Sequence, residues 1–141
     1  MHTIHTEISI RASQERVWEA LINSPDIPGD IRAAIADRKT GVIMKVVMSS
    51  GSRSATLTVK LDTVDPFREI IWKGYYHIPG LFDGVHRFEV RGEGGGTTLL
   101  VHSEVFTGLL LPFLSGTLGD TKREFEAMNA WVRDQAERDH P

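Results

Sequence analysis

The stretch Val85-His86-Arg87-Phe88-Glu89-Val90-Arg91, then Gly92-Glu93-Gly94-Gly95-Gly96, then Thr97-Thr98-Leu99-Leu100-Val101-His102-Ser103-Glu104-Val105-Phe106, decides the fold. Two alternating runs flank a segment that is glycine at four of five positions, which reads as a hairpin turn of flexible backbone. In the first run His86, Phe88 and Val90 share one face and Arg87, Glu89 and Arg91 the other, so the even positions point inward. In the second run composition does not decide between Leu100, His102, Glu104 and Phe106 on one face and Leu99, Val101, Ser103 and Val105 on the other. Turn register separates the cases. A turn centred on Gly95 sets 86 opposite 104 and 88 opposite 102, a turn centred on Gly94 sets 86 opposite 102, and both keep the even faces together. A half-step register would put His102 and Glu104 outside. The even face is taken as inward.

Outward from this hairpin the chain stays β in both directions. Val42 to Met48, Ala55 to Leu61 and Ile70 to Tyr76 read as strands, with turns at Asp65-Pro66 and Pro79-Gly80. Ile4, Ile8 and Ile10 mark a half-buried first strand, while Ser13 is a candidate N-cap for a short helix through Val17 to Ile22. After the hairpin the period changes. Leu114, Leu118, Thr121, Phe125, Met128 and Val132 recur every three or four residues, the apolar face of a long C-terminal helix. The order is strand, short helix or helices, a run of antiparallel strands, then one long helix. This is an α+β architecture in which a curved antiparallel sheet wraps the helix and leaves an internal cavity.

Length and composition bound the function. The 141 residues make one domain, 1–141, with 40% apolar and 25% charged residues. A net charge of −3 offers nothing to grip a phosphate backbone, so no nucleic-acid partner is expected. Cysteine is absent, which removes disulfides, thiol nucleophiles and thiolate zinc sites. The longest apolar run, Gly108 to Leu114, is far shorter than a membrane span, and Met1 to Glu7 lacks signal-peptide character. The expectation is a cytoplasmic domain without stable membrane insertion.

Gly80-Leu81-Phe82-Asp83-Gly84-Val85-His86-Arg87-Phe88, then Gly96-Thr97-Thr98, then His102-Ser103-Glu104-Val105-Phe106-Thr107-Gly108-Leu109-Leu110, resembles the SRPBCC group, and Phe125-Glu126-Ala127-Met128-Asn129 resembles its last helix. This is the START-like or helix-grip superfamily, which includes bacterial polyketide cyclase/dehydrase-like proteins, birch-allergen-type carriers and abscisic-acid receptors. The resemblance spans nearly the whole chain in element order and is specific from about Asp65 to Asn129. Where members typically carry a tryptophan-proline segment after the first helix, this chain reads Pro25-Asp26-Ile27-Pro28-Gly29-Asp30. The resemblance implies a cavity for a hydrophobic small molecule and no single activity.

With the even face inward, His86, His102 and Glu104 meet on the concave face beside Phe88 and Phe106. Buried charge is costly unless paired, so the cluster is a satisfied His–Glu pair, a ligand's polar contact, an acid–base group or a metal triad. A small hydrophobic or amphipathic ligand, such as a lipid or polyketide, is the leading expectation. Its wall would be Trp72, Tyr76, Phe82, Phe88, Phe106, Thr121, Phe125 and Met128, with His86, His102 and Glu104 fixing its orientation. An enzyme of the cyclase/dehydratase kind, with His86, His102 and Glu104 as acid and base, is the alternative. A chaperone-binding module is a third possibility. Neither cofactor nor metal is expected. Leu99, Val101 and Val105 would be the contacts of a homodimer. Ser103 and Ser115 have no visible base partner, and Gly74 would leave room between Trp72 and Tyr76.

Overall fold

The computed structural model describes residues 1–50, 53–114, 116 and 118–138; Ser115 lies outside the described residues. Six antiparallel strands form one sheet: β1 (His2–Ile10), β2 (Ile43–Ser50), β3 (Arg53–Asp65), β4 (Glu69–Tyr75), β5 (Asp83–Gly94) and β6 (Thr97–Thr107). Their spatial order is β1-β6-β5-β4-β3-β2. Between β1 and β2 lie α1 (Gln14–Ile22) and α2 (Gly29–Ala36), and after β6 come a single turn, α3 (Leu111–Leu114), and the long α4 (Leu118–Arg138).

Local chemistry explains the boundaries. Ser13 caps α1, its hydroxyl accepting from the Arg16 backbone N–H at 3.3 Å. Pro28-Gly29 opens α2: Pro28 stands at the cap position with extended backbone, and its carbonyl accepts from the Arg32 backbone N–H at 2.9 Å, the first bond of the helix. The C-terminal helix starts later than its periodicity suggests: Leu114 belongs to the separate turn α3. Gly94, Gly95 and Gly96 all adopt positive φ, the conformation a tight hairpin requires and only glycine takes freely.

The β5–β6 register is the one centred on Gly95. His86 stands opposite Glu104 and Phe88 opposite His102. Even positions of both strands therefore face α4. On β1 the inner face carries Ile4, Thr6, Ile8 and Ile10, because Ile4 pairs with Glu104 and Thr6 with His102. On β4 it carries Ile70, Trp72 and Gly74, with Trp72 opposite His86 and Gly74 opposite Gly84.

The core has two apolar parts. The larger joins Val17, Leu21, Ile31, Leu61, Ile70, Trp72, Phe88, Leu100, Met128 and Val132, among others. The smaller joins Ile4, Phe106, Leu118 and Phe125, with Phe82 and Leu111 half-buried against it. Along β6 the inner-face order Leu100, His102, Glu104, Phe106 runs from the larger cluster to the smaller one. Two polar side chains separate them.

Candidate functional site

The polar layer between the two clusters is a continuous hydrogen-bonded chain. Glu104 Oε1 lies 3.1 Å from His86 Nδ1, and His86 Nε2 lies 2.8 Å from His102 Nε2. His102 Nδ1 lies 3.0 Å from Asn129 Oδ1 on α4. The Asn129 amide donates to Thr6 Oγ1 at 2.8 Å, and the Thr6 hydroxyl donates to the His102 carbonyl at 2.8 Å. Three strands and one helix thus contribute to one network, and no described buried side-chain nitrogen or oxygen is left without a partner.

Burial is graded along it. His102 is 1% exposed, whereas the His86 and Glu104 side chains keep 13% and 16% of their surface. Desolvation, and then the neighbouring His86, hold the His102 imidazole well below its ordinary pKa, so it is neutral. The hydrogen bond to Asn129 and the Phe125 backbone pull in the other direction and are outweighed.

The rings around the chain pack closely. His102 stacks on Phe125 at 3.8 Å and lies 4.2 Å from Phe88, and Trp72 stacks on His86 at 4.5 Å. Phe82 folds inward onto Phe106, their planes 11° apart. Between sheet and helix, where the sequence leads one to expect an internal cavity, these side chains stand against one another. Two surface hollows lie elsewhere. One of about 480 Å³ is bordered by Gln14, Arg68, Arg87 and Arg91 among others, and one of about 260 Å³ lies between α1 and α4.

The structure brings together His86, His102, Glu104, Trp72, Phe88, Phe106, Phe82 and Phe125, with Met128 in the adjoining larger cluster. Tyr76 lies just beyond β4, half-buried, with its ring against His77. Thr121 is half-buried on the first turns of α4. Thr6 and Asn129 join the site through the structure, neither being among the side chains the sequence assigns to it. The signal for Thr6 was present, since it shares parity with Ile4 and Ile8; Asn129 follows Met128 on the same helix and becomes visible only once α4 is docked. The facial-triad reading meets a geometric obstacle: the two histidine Nε2 atoms are spent on each other. Among the described residues no group of three His, Asp or Glu is placed to hold a metal ion. On the outer face Val101 is already 4% exposed within the single chain, while Leu99 and Val105 are half-buried.

No family model matches the chain, and no curated protein matches it by sequence. Solved structures do. A protein from Mesorhizobium loti superposes with a TM-score of 0.67 at 17% identity, covering 99% of this chain and 100% of that one. The Zhui aromatase/cyclase of a Streptomyces gives 0.64 at 17% identity over 97% and 95% of the two chains. Norcoclaurine synthase from Thalictrum flavum gives 0.67 at 13% identity over 99% and 88%. This is the helix-grip fold. The START-like resemblance carried by residues 80–110 holds for the architecture, at identities that speak to fold alone. Within this helix-grip domain no described helix is long and apolar enough to cross a membrane.

Proposed function

We propose that this helix-grip domain binds a small, largely apolar molecule at the open end of its concave face, with the Glu104–His86 pair as its polar contact. The observation that carries the reading is the polar chain itself, set between two apolar clusters and closed at its Thr6 end. Its Glu104 end lies against half-buried Gly84 and keeps part of its side-chain surface exposed. A few polar groups in an apolar setting are the usual composition of a small-molecule site. Binding would be driven by removing apolar ligand surface from water, at ~25 cal/mol per Å² before association costs. Phe82, half-buried on Phe106, is the ring that has to move to admit a ligand between sheet and helix.

The similar structures include an aromatase/cyclase and a norcoclaurine synthase solved with dopamine and hydroxybenzaldehyde, which supports a small aromatic molecule as the class of ligand. A catalytic reading uses the same atoms. The His86–Glu104 contact at 3.1 Å favours it, because an imidazole oriented by a carboxylate can pass a proton near neutral pH.

Native mass spectrometry of the purified protein, before and after denaturation, tests the binding reading. An adduct of a few hundred daltons that is lost on denaturation, and that Phe82→Glu eliminates, is expected. An adduct that survives Phe82→Glu unchanged would place binding away from this face.

A further inference from the structure

We infer that Glu104 Oε2 is the ligand-facing polar atom and acts only as a hydrogen-bond acceptor, so that the site selects apolar molecules carrying a hydroxyl or N–H donor over their ethers. The inference rests on the binding reading above and deepens it.

The hydrogen-bonded chain holds a definite number of protons, set by the one group whose role is fixed. The His102 carbonyl can only accept, so the Thr6 hydroxyl donates to it. The Thr6 oxygen then accepts from the Asn129 amide nitrogen, which leaves the Asn129 amide oxygen facing His102 Nδ1 as an acceptor. His102 Nδ1 therefore carries a proton. The Nε2–Nε2 contact of 2.8 Å holds one proton and no more, since two would clash and none would set lone pair against lone pair. The His86 Nδ1–Glu104 Oε1 contact holds one more.

Three protons are thus distributed over His102, His86 and Glu104. The buried ring is neutral, and the last proton lies between His86 and Oε1, as imidazolium with carboxylate or as imidazole with carboxylic acid. Both forms are neutral overall, and in both Oε2 is bare. A fourth proton on Oε2 would leave an imidazolium without a counter-charge in a part-buried layer, which is unfavourable. The Thr6 end of the chain terminates on backbone and has nothing to offer a ligand. The Glu104 end is the open one, and Gly84 makes room for it: a Cβ there would overlap Oε2.

An acceptor with no internal partner strengthens binding of a ligand that donates to it and is left desolvated by one that cannot. The probes are 2-naphthol and 2-methoxynaphthalene, nearly equal in apolar surface and differing in the donor. By titration at pH 7, the naphthol is expected to bind roughly tenfold or more tightly than the ether. Glu104→Gln keeps this preference, because its amide NH₂ can donate to His86 Nδ1 and leave the amide oxygen in place of Oε2. Glu104→Leu removes Oε2 and lowers the preference, the His86 Nδ1 lone pair being the acceptor left at that end, and leaves the ether's affinity nearly unchanged. Equal binding of the two probes to the wild-type protein would overturn the inference while leaving the binding reading intact. Failure of both probes to bind would overturn the reading and the inference with it. The proton count has its own check without any ligand. Histidine ¹⁵N–¹H correlation spectra of the wild-type protein must show His102 Nδ1 protonated, and an unprotonated Nδ1 would reverse the polarity of the chain.

Discussion

At 1% exposure, stacked on Phe125 and bonded on both nitrogens, the His102 ring is withdrawn from water, and its charged form has no carboxylate beside it. Its lowered pKa has a consequence for stability whose sign is definite. In the unfolded chain this imidazole takes up a proton around its ordinary value of 6.5, while in the folded chain it stays neutral. Its contribution is therefore fully present above that pH and is lost as pH falls below it. The loss reaches about 1.4 kcal/mol per pH unit, the limit for one proton. Urea unfolding of wild type and His102→Gln between pH 7.5 and 5 checks this. The wild-type profile should fall more steeply below pH 6.5, the histidines that do not touch His102 cancelling in the difference, and parallel profiles would contradict a neutral buried His102.

Strand register is what converts the residues of β5 and β6 into a site. Because 86 stands opposite 104, and 88 opposite 102, four even-numbered side chains become two cross-strand pairs on one face, and a one-residue slip would send all of them to the other side. The paired glycines Gly74 and Gly84 then distinguish two kinds of space on that face. At Gly84 an added methyl would overlap the Glu104 carboxylate, whereas at Gly74 it would meet Val59 Cγ2 and the Thr58 carbonyl at ordinary distances of 3.5 and 3.6 Å. Gly84→Ala should swing the flexible Glu104 side chain aside and break its bond to His86. Stability should change by no more than about 1 kcal/mol, the scale of an ordinary substitution. Gly74→Ala should leave that bond alone. Histidine NMR resonances measured beside the thermal midpoint separate the two variants: the His86 signals move in the first and hold in the second.

Across the whole molecule, the sheet is most secure where it is paired on both sides and covered on one. β5 and β6 have neighbours on each edge and carry the buried Phe88, Val90, Leu100 and His102 under α4. β2 pairs only with β3, and its outer face leaves Ile43 and Val47 at 68% and 64% exposure. Local opening follows the density of buried contacts, so backbone amides of residues 43–48 should exchange with deuterium well before those of 86–90 and 100–104. Equal protection of the two regions would mean that the sheet opens only as one unit.

The sequence by itself determined the alternation of β5 and β6, the glycine turn between them, the Ser13 cap and the apolar face of the last helix, while the centring of that turn on Gly95 was settled by the pairing of the strands. Each depends on residues close together in the chain, where backbone geometry and side-chain period leave little choice. It also brought His86, His102 and Glu104 to one face, once the register had been taken as even-in. Only the tertiary structure decided that Thr6 and Asn129 close the chain, that Pro28-Gly29 begins a helix, and that aromatic rings stand where a cavity was expected. Those outcomes depend on how α4 seats across the sheet. That is a matter of side chains up to 123 positions apart finding partners, and no local pattern encodes it.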